Sequence, residues 1–326
     1  METVRKRIKE SKWGPGDHDP RRTLALFTVF CLLVLLLSVL PLNDFRAAAM
    51  EDWEEPIYVE QLSELQDALS AVEPTSKAVI ALKNDIYLEG TALEIPGQGK
   101  VMLTSAEGGP YKIDANAQSR VIEIEDNGDL TLENITITGG TATNVGGVRG
   151  GGGGVYVGAN GSLTLTDNTE ILANKGYSDT GGTAGIAGAS GVHVADTGTF
   201  TVMGKAKISG NQSFGGGGAV SNYGTFIIKA GAQSKISGNT TNNSNGGGVT
   251  NHGTFTVETG AISEISDNTV SGNFNAFCGG GVYNNGSFTI ETGSQSKISG
   301  NSAVSNGGGV YFGNSVFNMK GGTIEG

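Results

Sequence analysis

From residue 150 onward, apolar and polar positions alternate in short bursts and never settle into a helical period. In Thr254-Phe255-Thr256-Val257 the two apolar residues share one face of a strand and the two threonines the other. The same text recurs at 199–202, 225–228 and 287–290. A glycine run ending in Val precedes each burst, as in Gly246-Gly247-Gly248-Val249 and Gly279-Gly280-Gly281-Val282. An Ile strand ending in Asn follows, as in Ile236-Ser237-Gly238-Asn239 and Ile298-Ser299-Gly300-Asn301. The anchoring residues Val155, Val192, Val220, Val249, Val282 and Val310 lie 37, 28, 29, 33 and 28 positions apart. Repeats of this size predict a solenoid, whose units bury their apolar residues only against their neighbours. The lengths suit three short strands and three turns per coil, with coils about 4.8 Å apart.

Alternation assigns the faces. Phe200, Phe226, Phe255 and Phe288 form one interior column, Val202, Ile228, Val257 and Ile290 a second, and Ile208, Ile236, Ile265 and Ile298 a third. Asn174, Asn211, Asn239, Asn268 and Asn301 recur at the end of the Ile strand, and Asn222, Asn251 and Asn284 after the Val strand. Amides at fixed positions read as structural ladders between coils. On the outside, Lys229, Glu258, Glu291 and Lys320 share one column, and Lys207, Lys235, Glu264 and Lys297 another. Opposite charges on neighbouring coils disfavour a register slip. Upstream, strands at 79–82, 86–88, 101–104, 121–124, 130–132 and 135–137, separated by Gly, Asn and Asp turns, predict irregular early coils, so the solenoid spans 75–326.

The first 74 residues break this pattern. Residues 1–22 carry seven Lys or Arg against four acids and read as a basic cytoplasmic tail. Residues 23–42 hold no charge, long enough for a transmembrane or signal-anchor helix. Basic residues before it and acids after it place the tail inside and export the rest. Two outcomes stay open: retention in the cell membrane, favoured by the length of the apolar run, or secretion after cleavage at Ala47-Ala48-Ala49. Residues 43–58 read as a linker. Over 59–73, Leu62, Leu65, Leu69 and Val72 recur at helical spacing and predict a short helix capping the first coil.

Charge and composition narrow the chemistry. The net charge of −11 conceals an acidic body, since 14 basic and 28 acidic residues remain after residue 22. That excludes the clustered cations of a nucleic-acid binder. Two cysteines, Cys31 inside the apolar run and Cys278, predict no disulfide framework, and no Cys/His spacing suggests zinc. No cofactor, metal or catalytic residue is expected. Acids after Gly150 are sparse, Glu258 and Glu291 each have a Lys neighbour, no Arg follows Arg149, and His193 and His252 occupy different repeat positions.

The repeat text over 75–326 resembles that of the right-handed parallel β-helix (pectate-lyase-like) proteins of bacterial surfaces, including large adhesins. It is also similar to the polymorphic outer-membrane proteins of chlamydiae. Gly217-Gly218-Ala219-Val220 meets their GGA[ILV] motif, whereas Ile236 stands where their FxxN motif has Phe before Asn239. The resemblance implies an all-β, right-handed solenoid and a non-enzymatic adhesive or display role. The same superfold hosts polysaccharide lyases and glycosidases, which is the enzymatic alternative.

Insertion lengths supply a candidate site. From each ladder Asn to the next anchoring Val the count is 18, 9, 10, 14 and 9, so the major insertions share one edge. Tyr177, Phe214, Phe274 and Phe277 fall in these turns and are the candidate contacts for a host, matrix or glycan ligand. The competing reading is that the rings fold back as local plugs. A third reading starts from the outward Thr199/Thr201, Thr254/Thr256 and Ser287/Thr289 rows, which resemble the face of an ice-binding β-helix, with Ile227 breaking the array. The chain ends in mid-repeat, at Gly-Gly-Thr-Ile-Glu-Gly; either the sequence is a fragment or its last coil is open to pairing.

Overall fold

The computed structural model describes residues 53, 55–144, 151–178, 188–273, 276–313 and 315–325. The basic tail, the apolar run at 23–42, the Ala47-Ala48-Ala49 site, Cys31 and Phe274 lie outside them. Among the described residues no helix is long and apolar enough to cross a membrane.

The described chain is mostly strand, ordered in four sheets whose pairings are all parallel. The coil that starts at Val249 shows the plan. Val249–Asn251 lies in an eight-stranded sheet, Thr254–Val257 in a ten-stranded sheet, Ile262–Ser266 in a nine-stranded sheet and Thr269–Ser271 in a five-stranded sheet. We call these the Val, Phe, Ile and edge sheets. Each strand bonds to the equivalent strand of the coils before and after it, as Phe255 does to Phe226 and Phe288. This is the arrangement expected of a parallel β-helix.

The interior is one continuous apolar cluster. In the Phe sheet one column runs Ala78, Val101, Leu130, Leu163, Phe200, Phe226, Phe255, Phe288, so its side chains grow from methyl to phenyl along the chain. The four rings are fully buried and stack at 4.6, 4.4 and 4.5 Å. The second column, through Val202, Ile228, Val257 and Ile290, and the Ile column from Ile208 to Ile298 are buried as well.

Two details differ from the sequence reading. The middle coils contain four strands, not three. The extra strands, such as Gln212–Phe214 and Thr240–Asn242, turn Ser213 and Thr241 inward. Small polar residues at the inward positions leave no hydrophobic period to detect. The sheet also begins inside the expected linker: Ile57–Val59 pairs with Ile80–Leu82, and buried Val59 joins the apolar core. A helix follows at Leu62–Ser70, shorter than 59–73. The Glu64 carboxylate in its first turn accepts the N–H of Glu60, the residue before the N-cap Gln61, at 2.7 Å, and Pro74 lies beyond its end. Its Leu65, Ala68 and Leu69 join the solenoid core.

The glycine runs have a steric cause. Consecutive coils bond glycine to glycine, as Gly280 N–H does to Gly307 O at 3.0 Å. A Cβ on Gly280 would lie 2.5 Å from the carbonyl oxygens of both Gly308 and Ser302, and backbone cannot step aside without parting the coils. Gly280→Ala is therefore expected to cost about 1–3 kcal/mol, as overpacking does. Urea unfolding measures it, and an unchanged midpoint contradicts the close approach.

Candidate functional site

The edge sheet carries the insertions. Its outward positions form two columns, Lys175, Gln212, Thr240, Thr269 and Tyr177, Phe214, Asn242, Ser271. Tyr177 stacks on Phe214 with ring centroids 4.9 Å apart and planes 6° from parallel, both rings half-buried. The structure therefore brings together two of the four aromatic residues singled out from the sequence. Phe277 is outside that stack but beside the same sheet, against Gly272 just after the strand Thr269–Ser271, where a Cβ would meet its ring at 2.9 Å. Phe274 is outside the described residues. Because Tyr177 and Phe214 face one another, each covers one face of the other.

A second feature was missed. His193 and His252 do belong together, in a stack with one ring from each of six consecutive coils along the outside of the Val sheet. Tyr156 stacks on His193 (5.4 Å), Tyr223 on His252 (4.6 Å) and Tyr283 on Tyr311 (5.5 Å), while His193 meets Tyr223 (5.5 Å, 36°) and His252 meets Tyr283 (6.4 Å, 55°) at a tilt. Tyr156, His193, Tyr283 and Tyr311 occupy the centre of the Val strand, where the two middle coils have Ser221 and Thr250. Tyr223 and His252 come from two residues further on and fill the gap. The signal was present in the sequence as one ring per coil, but it alternates between two positions. A search for identical repeat positions cannot find it.

This stack is largely dehydrated. Burial pushes Tyr223 up to about 12 and also raises Tyr283. Burial, with Arg120 and His252 nearby, pushes His193 down to about 4; burial lowers His252 too. At one end the Arg120 guanidinium lies 4.8 Å from the Tyr156 centroid and pairs with Glu123 at 2.8 Å.

The glutamates of the later coils are engaged by lysines: Glu258 with Lys229 (2.9 Å), Glu264 with Lys235 (2.8 Å), Glu291 with Lys320 (3.0 Å), Glu170 with Lys207 (3.5 Å) and Glu325 with Lys297 (2.9 Å). The lysine hydrogen bonds hold Glu258 and Glu264 below the usual carboxylate range. A glycosidase needs a carboxyl shifted the other way to act as general acid.

Two buried amide ladders tie the coils. In the first, the Nδ2 of each Asn from Asn174 to Asn268 donates to the Oδ1 of the next at 2.9–3.1 Å. Each backbone N–H reaches the same oxygen, and each Nδ2 also reaches the Ile carbonyl of the preceding coil. Asn222, Asn251 and Asn284 form the second, at 2.7 Å per step. The threonine rows of the Phe sheet are in register, through Thr199, Thr225, Thr254, Ser287 and Thr201, Ile227, Thr256, Thr289. Thr201 is only 8 % exposed, and Ile227 interrupts its row. Cys278 is a free, buried thiol.

No family model matches this chain, and neither a curated protein nor a solved structure matches it.

Proposed function

We propose that the chain is a non-enzymatic binding scaffold, exported and displayed at a bacterial surface or released from it, that engages a glycan or matrix ligand along its edge sheet. The observation that carries this reading is the outer face of that sheet. The half-buried Tyr177 and Phe214 stand beside outward amides and hydroxyls from Gln212, Thr240, Asn242 and Ser271, with one charge, Lys175, in the two columns. Aromatic area flanked by neutral hydrogen-bonding groups suits an uncharged glycan better than an anionic one. The parallel sheets give such a strip a fixed pitch of about 4.8 Å per coil, and rigidity limits the entropy lost on binding. Pairing of the later glutamates with lysine favours this reading over a polysaccharide-cleaving enzyme. The right-handed sense belongs to the same reading, because crossovers between parallel strands are right-handed in the great majority of cases. Export rests on the basic tail and the apolar run at 23–42, with residues 1–22 left in the cytoplasm.

The test is a glycan and extracellular-matrix array probed with residues 50–326, followed by the Tyr177→Ser, Phe214→Ser double variant. An affinity loss of about tenfold or more is expected, the size of effect typical of central aromatic contacts. Binding that survives the double substitution, or an array without hits, overturns the assignment.

A further inference from the structure

We infer that Gly151–Gly153, the turn entering the first regular coil, is held on the Val sheet by an acid-sensitive latch of Arg120, Tyr156 and His193, which lets go when His193 takes a proton. His193 is 5 % exposed, between the rings of Tyr156 and Tyr223. Its Nδ1 is buried and has no hydrogen-bond partner. The backbone of Gly151 lies against that nitrogen: a Cβ there would be 2.8 Å from Nδ1 and 3.0 Å from Cγ. Arg120 grips the same residue, its Nη2 donating to the Gly151 carbonyl at 2.9 Å while Nη1 holds Glu123. One glycine is thus clasped by a part-buried guanidinium and a neutral imidazole.

Protonation breaks that arrangement. An imidazolium presents two N–H donors, and the Nδ1 proton would point at Gly151 with no acceptor. The described titratable and charged groups around the ring are Arg120, Tyr156, Tyr223 and His252, with Glu123 already paired to Arg120. A second cation beside Arg120 is repelled, and the closed form holds the imidazole down to about 4. In an open form the ring would titrate near its ordinary value of about 6.5. The latch is therefore at full strength above about pH 6.5, weakens as pH falls, and is lost below about 4. Release frees the amides that pin the turn, Gly152 to Ala189 O (2.8 Å) and Gly154 to Ser190 O (3.0 Å), and bares one end of the ring stack.

Amide hydrogen exchange on the full chain, corrected for intrinsic pH dependence, tests this. Protection of 151–157 and 189–194 should fall about tenfold or more between pH 7 and pH 4, while 254–266 keeps its protection. His193→Tyr should abolish the difference; a tyrosine ring fits, because Tyr156, Tyr283 and Tyr311 already stand at that strand position. Equal acid sensitivity in the variant, or uniform loss along the chain, overturns the proposal. Should the variant not fold, an NMR titration of His193 in the unaltered protein decides. A midpoint between about 4 and 6.5 that tracks the local loss supports the latch, and one at 6.5, or one without the local loss, overturns it.

Discussion

Phe255→Asp is expected to open its own coil and loosen the coils on both sides. The ring is fully buried and stacked on Phe226 at 4.4 Å and on Phe288 at 4.5 Å. Removing a buried phenyl alone costs about 3–5 kcal/mol, transfer and cavity together. The carboxylate adds a burial penalty with no polar partner in an apolar column. The sum approaches the whole stability of a typical domain, about 5–15 kcal/mol. Because coils contact only their neighbours, the loss should concentrate there. Hydrogen exchange should show strands 225–228, 254–257 and 287–290 unprotected, with protection retained at 100–105. An unchanged urea midpoint contradicts the inward assignment of Phe255.

Asn239→Ala should be nearly as damaging, although it removes only a small polar side chain. Its Oδ1 accepts both the backbone N–H and the Nδ2 of Asn211, each at 3.0 Å. Its Nδ2 donates to Ile208 O at 3.1 Å and to Asn268 Oδ1 at 2.9 Å. Alanine takes one hydrogen bond from each of four groups where water does not reach, although Asn268 Oδ1 keeps the Asn239 backbone N–H and Asn211 Nδ2 keeps the Ile171 carbonyl. A lost bond costs about 0.5–1.5 kcal/mol, and more where a buried group is left with none, so a net loss of about 3 kcal/mol is expected. Asn239→Asp separates the two halves of the amide's role, since the acceptor survives and both donors are lost. It also sets a charge against the Ile208 carbonyl, so it should destabilise more than alanine does. Chemical denaturation of both variants measures the order, and an aspartate variant as stable as the native chain contradicts the ladder. Neighbouring positions such as Gly238, whose φ of 64° is costly for most side chains, serve the same turn.

The regular coils were legible because their inward residues are large and periodic. Phe, Val and Ile at fixed spacing announce a buried face, and Asn at fixed spacing announces a ladder. The edge sheet was not legible, because Ser213 and Thr241 point inward without a hydrophobic signature. Leu93–Ile95 and Tyr111–Asp114 were missed for a related reason: three- and four-residue strands among polar turns carry too little period. Tyr177 and Phe214 were found by insertion length, which reports the edge. Phe277 lies on the same edge, against Gly272 just after the strand Thr269–Ser271, but outside the Tyr177–Phe214 stack, because equal position in a turn does not imply equal position in a strand. The ring stack escaped because the coils share a ring but not a residue position: Ser221 and Thr250 yield the central site to the turn, and Tyr223 and His252 restore the column.

The central claim is that successive repeats lie directly over one another in parallel register. Spin labels at Thr131 paired with Thr256, and at Thr131 paired with Thr289, test it in a chain whose Cys31 and Cys278 are replaced by Ser. All three threonines face outward in one row of the Phe sheet, four and five coils apart. The account predicts backbone separations of about 19 and about 24 Å, an increment of one strand spacing. Two distances that do not grow by one strand spacing per coil would contradict it.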